Sequence, residues 1–492
     1  METPSATLND LSISAAPAPA TSDSGVSKHL PVSKYLPVSN PGECFWQLEK
    51  HRLHDHRSTE ELPTHSDVVI VGAGYAGVST AYHLIKEGGG SIKSITIIEA
   101  RGACSGATGR NGGHLRPDLY GHIPVYIERA GAEAGEEIAK FEIAHVREIK
   151  KIIEKEKIDC DFSLCRTVDV WCNEELAKKA KAIYDDEIVK NNFDYADDII
   201  FHTGKEVEGI CGVKGAKACA SYTAGSMWPY KFVMGLLESL LPTGKLNLQT
   251  NTPVTSVASD PDGGFIVQTS RGKTHASKIV YANNAYISAL LPEYDRNIIP
   301  CKGICCRITV PEGRTAPLLN NTYINRTEDD TLSYLIPRAD GSIIVGGASS
   351  KFKPHRDQWY NNVDDSILID SAKDYYKNYM QETYRGWEDS GATVDNIWTG
   401  VMGYSYDSNP HVGEVPGKPN QFVLAGFNGH GMPVIWLSGK AVAKMVSEDV
   451  PFEKTGVPRL FKTTQERIDR ARNGCEEQGD ILRTGNQKAT RQ

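Results

Sequence analysis

Gly72-Ala73-Gly74-Tyr75-Ala76-Gly77 spaces three glycines as Gly-x-Gly-x-x-Gly, directly after the apolar run at 67–71. The chemistry this spacing permits is phosphate binding. Gly72 allows a tight turn, Gly74 lets backbone approach a pyrophosphate, and Gly77 lets a helix pack closely on the strand before it. A helix starting there points the positive end of its dipole at phosphate charge. Glu99, closing the next apolar run at 95–98, is placed to accept hydrogen bonds from ribose hydroxyls. FAD and NAD both satisfy this pattern.

Two further glycine-rich stretches bear on that choice. Residues 100–114 read Ala-Arg-Gly-Ala-Cys-Ser-Gly-Ala-Thr-Gly-Arg-Asn-Gly-Gly-His, a loop with enough bare backbone to lie against a flat ligand and its phosphates. Residues 425–432, Ala-Gly-Phe-Asn-Gly-His-Gly-Met, follow a strand pattern and precede a helical one. That is a second place where a helix N-terminus would stabilise an electron-rich group.

The elements that must position these loops are legible in outline. Strand, helix and strand at 67–71, 76–86 and 95–98 form a βαβ unit. Ile138, Phe141, Val146, Ile149 and Ile153 recur at helical spacing, which predicts a long helix over 134–157. Further helices are expected at 176–189, 366–384 and 433–446, with an exposed one at 464–472. Strands are expected at 254–257, 265–269, 278–281, 303–310 and 421–425, and a hairpin at 333–337 and 342–345 turning on Asp340-Gly341. The fold class is α/β with an added antiparallel component. Residues 1–41, rich in Ser, Pro, Ala and Thr, read as a disordered tail, and 455–492 as a polar extension.

With 492 residues the chain is long enough for two or three packed units. A net charge of −8 and scattered Lys and Arg argue against nucleic acid or an anionic membrane as partner. No apolar run is long enough to span a bilayer. The 11 cysteines include no Cys-x-x-Cys pair, and no cluster has metal-ligand spacing. Free thiols and the lack of a secretory signal pattern make a cytoplasmic setting the expectation.

Residues 72–77, the Ser-Gly-Ala-Thr-Gly-Arg-Asn-Gly-Gly stretch (105–113) and Gly-Phe-Asn-Gly-His-Gly (426–431) resemble three signatures of one family. It is the D-amino acid oxidase, glycine oxidase and sarcosine oxidase flavoproteins, and the branch resembled most contains γ-glutamylputrescine oxidase-like and fungal enzymes. Val-Tyr-Ala-Asn-Asn-Ala-Tyr (280–286) resembles the strand that returns toward the flavin there. The resemblance covers about 61–450 and implies a Rossmann-type FAD-binding domain (66–120, 215–295, 395–450). A mixed-sheet α+β substrate domain (121–214, 296–394) would cover the flavin.

It implies FAD contacts from Gly72, Ala73, Gly74, Tyr75, Ala76, Gly77, Glu99, Ala100 and Arg101. Ser105, Thr108, Arg110, Asn111 and Gly112 would follow, with Val254 on the adenine side and Asn283 near the returning strand. Gly426, Phe427, Asn428, Gly429, His430, Gly431 and Met432 would face the isoalloxazine ring.

The catalytic candidates are His430, beside flavin or substrate, and Arg116, able to pair bidentately with a carboxylate. Lys351 stands near where sarcosine oxidase-like members keep a lysine that helps reduced flavin meet oxygen. Tyr334 and Arg338 are expected on the substrate-domain hairpin, and His114, Tyr404 and His411 in segments leading to the flavin.

Two departures qualify the resemblance. Sarcosine oxidase-like members attach FAD through a cysteine shortly before the C-terminal signature, and no cysteine lies between Cys306 and Cys475 here. Non-covalent FAD is therefore expected. Those members also carry a lysine just after Gly-His-Gly, where this chain has Gly431-Met432-Pro433.

The expected activity is oxidation of the C–N bond of an amine or amino-acid-like substrate to an imine, with oxygen as acceptor. Oxidative cyclisation or demethylation in a secondary-metabolite pathway is an alternative outcome. An NAD-dependent dehydrogenase, a flavin monooxygenase and a flavin-fold binding protein without turnover stay open as rivals.

Overall fold

Strand His65–Val71 is the centre of the first sheet because Val68, Val69 and Ile70 are apolar on both faces and wholly buried. That pattern belongs to a parallel strand covered on each side. In the computed structural model, which describes residues 35–473, the strand pairs in parallel with Ile95–Ile98 and Gly272–Tyr281. Leu246–Gln249 and Gln421–Ala425 extend the parallel sheet at its two sides, and His411–Glu414 adds an antiparallel edge. The antiparallel strands Val254–Ser259 and Phe265–Thr269 join through Gly272–Tyr281. The chain divides into Met1–Pro31 and Val32–Gln492, and every described residue falls in the second unit.

Helix Tyr75–Lys86 packs on this sheet and against helix Ile435–Glu448. Their crossing is close because Gly439 has no side chain: a Cβ there would overlap Ser79 Oγ. Trp436 fills the next layer, against Tyr82, His83 and Phe232.

The second sheet is mixed and runs Thr393–Ser405, Ile298–Thr309, Ile343–Gly347, Leu332–Pro337, Thr322–Arg326, Ser163–Trp171, Ala218–Ser226, His114–Leu115. Only Thr322–Arg326 against Ser163–Trp171 is parallel along this order. Helix Ala132–Glu156 connects the layers, its buried stripe including Ile138, Glu142, Val146 and Ile149.

This α/β arrangement of two sheets agrees with the expected fold class, and several details differ from the sequence reading. Ala218–Ser226, Thr393–Ser405 and His114–Leu115 hydrogen-bond into the second sheet, although the expected boundaries place 215–295 and 395–405 in the first domain. A strand pattern shows burial but not the identity of the sheet that buries it.

The helix expected at 366–384 is instead a 3-10 stretch, Asp370–Tyr376, and one short helix, Tyr379–Thr383. Buried tyrosines there bond sideways: Tyr376 donates to Ile304 O at 3.3 Å, and Tyr379 and Tyr384 accept from Asn325 at 2.8 Å each. These tertiary bonds outweigh the local helical pattern.

The terminal readings need correction too. Residues 35–41 lie on the body of the protein, and Tyr35 is buried with its hydroxyl 2.9 Å from Asp295 Oδ1. Helix Gln465–Asn473 is not simply exposed, since Ile468 is buried and Arg467 grips Asp407 through two bonds of 2.7 and 2.8 Å. The remainder of both expected tails, 1–34 and 474–492, lies outside the described residues.

Candidate functional site: a cleft built by three glycine-rich loops

The turn after His65–Val71 is built as its glycines require. Gly72 has φ +109°, and a Cβ on it would lie 2.8 Å from the Ala282 carbonyl. A Cβ on Gly77 would overlap the Gly72 carbonyl, so that glycine fixes how closely helix Tyr75–Lys86 meets its strand. Gly74 differs: its φ of −82° suits any residue, and a Cβ would meet only Thr108 Oγ1 at 3.4 Å. Beyond Gly74 the backbone opens onto a cavity.

Glu99 ties that turn to the next loop, its carboxylate accepting from Ala73 N at 2.8 Å and Arg101 N at 3.0 Å. Burial raises its pKa above the ordinary carboxylate value, against the opposing pull of these N–H groups and the Arg101 guanidinium. Thr108 Oγ1 accepts from Tyr75 N at 3.0 Å, holding the second loop against the helix start.

The cavity is a continuous cleft, partly open to solvent. One end is formed around Ile98, Val254 and Leu290, which share an apolar cluster, with Glu99, Arg101 and Ala289. Leu36 and Pro37 join it beside Val38, whose carbonyl accepts from Arg101. The other end holds Asn111, Val401, Met402, Phe427, Gly429, Gly431, Met432 and Ile435. Since Ile435 both lines the cavity and begins helix Ile435–Glu448, the positive end of that helix faces this space.

Three buried polar atoms on the lining residues, Tyr75 OH, Asn283 Oδ1 and Tyr286 OH, lack a hydrogen-bond partner in the protein. Orphaned polar atoms beside a glycine-edged helix start and a carboxylate fit a long nucleotide ligand such as FAD. Among the described residues no cluster of three His, Cys, Asp or Glu is arranged to hold a metal ion.

Of the expected cofactor residues, Gly72, Gly74, Tyr75, Ala76, Glu99, Ala100, Arg101, Thr108, Asn111, Val254, Asn283, Phe427, Gly429, Gly431 and Met432 line this one cavity. Ala73, Gly77, Ser105, Arg110, Gly112, Gly426, Asn428 and His430 are not among its lining residues. Several of them have partners within the protein. Arg110 is buried, donating through Nε to Thr399 O and standing 3.6 Å from Asp365. Gly112 is a glycine because Tyr334 occupies the place of its side chain. Gly426 N donates to Asn284 Oδ1 at 2.9 Å, and Asn428 Oδ1 accepts from Ser405 N at 2.7 Å. Ser105 lends its carbonyl to Arg101 Nη2 at 3.2 Å.

The catalytic candidates separate sharply. His430 follows Gly429 at the lined end, and its Nε2 is 2.8 Å from Glu142 Oε2. Arg116 is not a free carboxylate receptor. Its Nη2 donates to the wholly buried Asp169 at 2.8 Å, Tyr120 donates to the same oxygen at 2.6 Å, and the guanidinium stacks over Tyr222. Burial is the largest single influence and pulls the Arg116 pKa down, but Asp169, Tyr222, Asp118 and Tyr120 together outweigh it and the net shift is upward.

Lys351 lies away from the cavity, half-exposed and paired with Asp329 at 2.8 Å. Tyr334 donates to or accepts from Cys305 Sγ at 2.9 Å, behind Gly112 rather than in the lining.

The remaining candidates also have structural partners. Arg338 bonds Asp161 at 2.6 Å and stacks among Phe45, Trp46 and Trp228. His114 Nε2 meets Thr322 Oγ1 at 2.7 Å, and burial holds its pKa far below the usual histidine value. His411 is buried against Thr463, whereas the Tyr404 hydroxyl approaches Gly429.

Sequence reading missed Leu36, Pro37, Val401, Met402, Ala289, Leu290, Asp365 and Glu142. Glu142 alone left a signal: a carboxylate in the stripe Ile138, Glu142, Val146, Ile149 must find a buried partner.

Comparison with known proteins agrees with this geometry. The pattern described as "FAD dependent oxidoreductase" (DAO) matches residues 67–445. A probable oxidoreductase, OrdL, of Haemophilus influenzae is 23% identical over 81% of this chain and 87% of its own length. The γ-glutamylputrescine oxidoreductase of Escherichia coli is also 23% identical, over 78% of this chain and 84% of its own. The crystal structure of glycine oxidase from Geobacillus kaustophilus superposes with a TM-score of 0.65 at 18% identity, covering 82% of this chain and 99% of that one.

Proposed function

The chain belongs to the DAO family of FAD-dependent oxidoreductases, and from that membership we propose that it oxidises the C–N bond of a small amine or amino-acid-like molecule to an imine. FAD, when bound, supplies the acceptor for the hydride that leaves the carbon next to nitrogen. The amine also gives up one proton. Molecular oxygen takes the two electrons and two protons away as hydrogen peroxide, and water hydrolyses the released imine to a carbonyl compound and an amine.

The observation that carries this reading is the single cavity joining the Gly74 helix start to Asn111, Met402 and Met432. The chain's own residues bind and exclude. Gly72 and Gly74 leave backbone bare for phosphates, Glu99 receives ribose hydroxyls, and Val254 and Leu290 give the adenine an apolar wall. At the far end Met402, Phe427 and Met432 keep water from the reacting carbon. His430, between the lining residues Gly429 and Gly431 and bonded to Glu142, is the side chain to which we assign the orienting of an amine. An amine that arrives neutral needs no protein base, and none is assigned.

FAD is held without a covalent bond in this reading, since no cysteine lies between Cys306 and Cys475. Among the described residues no helix is long and apolar enough to cross a membrane. Gamma-glutamylputrescine and glycine, after which two of the relatives are named, make N-substituted polyamines and small amino acids the first substrates to try. Aerobic incubation with primary, secondary and N-methyl amines should yield peroxide and carbonyl product in equal amounts for at least one of them. Carbonyl product without peroxide would replace oxygen with another electron acceptor.

A further inference from the structure

Residues 35–47 precede the family match at 67–445, yet they form part of the wall of the cofactor cleft. Leu36 and Pro37 line the cavity at the end that also holds Glu99, Arg101, Val254, Ala289 and Leu290. The segment is fastened at every few residues. Tyr35 bonds Asp295, the Val38 carbonyl accepts from Arg101 Nη1 at 3.2 Å, and Gly42 N donates to Asp365 O at 3.1 Å. Arg101 itself grips Asp365 with two bonds of 2.9 and 3.0 Å, so the strap, the 100–114 loop and the segment around Asp365 meet there.

Beyond Gly42 the strap supports the second glycine-rich loop from outside. Gln47 Nε2 donates to Gly109 O at 2.8 Å, and Trp46 Nε1 donates to Asn111 O. Phe45 and Trp46 are buried against Trp228, and the Arg338 guanidinium lies 5.3 and 4.8 Å from their ring centres. This anchorage makes the Leu36–Pro37 wall a built feature rather than an incidental contact.

We infer that residues 35–47 are a cofactor strap: Leu36 and Pro37 pack on the adenosine half of bound FAD and slow its escape. The inference rests on the FAD reading. It uses only apolar contact and requires no chemical step.

Its test compares the parent protein with the double variant Leu36→Ser, Pro37→Gly and the single variant Leu36→Ala. Each is stripped of flavin and titrated with FAD and with FMN, which lacks the adenosine half, by following flavin fluorescence. The double variant should bind FAD about tenfold or more weakly, with a faster release rate. FMN binding and the unfolding temperature of the stripped protein should match the parent. The single variant should fall between the two.

FAD affinity within twofold of the parent in the double variant overturns the strap. Equal weakening of FMN and FAD overturns it as well, because the loss would then come from general distortion. Should the double variant not fold, the FAD-to-FMN contrast in Leu36→Ala decides alone. A parent protein that binds no FAD ends the cofactor reading and the strap with it, whereas unchanged variants of an FAD-binding parent end the strap only.

Discussion

His430 Nε2 and Glu142 Oε2 meet at 2.8 Å, joining the glycine-rich loop before the last cavity helix to the middle of helix Ala132–Glu156. Glu142 is almost wholly buried, and the same oxygen accepts from Asp118 N at 2.6 Å. Glu142→Ala leaves the Asp118 amide unpaired in the interior, while the partly exposed His430 ring can turn to water, an expected loss of about 1–3 kcal/mol of folding stability. Glu142→Gln, which can still accept one bond and donate another, should lose less than half of that. Denaturant unfolding of the two variants checks the ordering, and equal stability of Glu142→Ala and parent would mean that the pair does not form.

Arg116 neutralises Asp169, whose carboxylate is fully buried. Arg116→Ala should therefore cost about 3–5 kcal/mol of stability, because it strands a buried charge. Adding Asp169→Asn should recover part of the loss. A stable Arg116→Ala protein with weakened binding of acidic amines only would return Arg116 to the role of carboxylate receptor.

Gly74→Val places a branched side chain in the open space beyond the helix start, at a backbone angle that valine accepts. The folded variant should retain no FAD. Gly341 sits in the hairpin turn at φ +79° with nothing near its missing side chain, so Gly341→Asn, a residue tolerant of that angle, is the matched control. It should keep FAD at the parent level, as seen in the absorption of the purified proteins.

Acid should destabilise the fold through its buried histidines. Burial pushes the His145 pKa from 6.5 down to about 3, and the ring stays neutral while donating to Phe141 O and accepting from Leu437 N. Below pH 6.5 the unfolded chain gains a proton on this residue that the folded chain does not, so stability falls as pH drops toward 3. The slope for one such group is about 1.4 kcal/mol per pH unit at its steepest. His145→Gln, able to keep both bonds, should remove about 1 kcal/mol per unit of the parent's slope between roughly pH 6 and 5. An unchanged slope would show that His145 does not titrate this way.

The legible part of this molecule is the part set by local sterics. A positive φ at Gly72 and an overlap at Gly77 admit only glycine, so the first loop could be read residue by residue. Arg101 and Asp365, or Glu142 and His430, are joined only by tertiary folding, and neither partner names the other in the sequence. Leu36 and Pro37 were hidden for the opposite reason. Their stretch continues a Ser- and Pro-rich segment without strand or helix periodicity, and its order comes from bonds to Arg101, Asp365 and Asp295 far along the chain. Arg116 and Lys351 looked functional by position, but each has a carboxylate partner that position could not reveal.

The most direct test of C–N oxidation at this cleft is anaerobic addition of primary, secondary and N-methyl amines to the yellow holoprotein. The visible flavin band should bleach with at least one amine class and return when oxygen is admitted. It should bleach more slowly in a His430→Asn variant with the same FAD content. A protein that binds FAD but is bleached by no amine, while dithionite reduces it fully, would contradict amine oxidation and leave a flavin-binding fold without this activity.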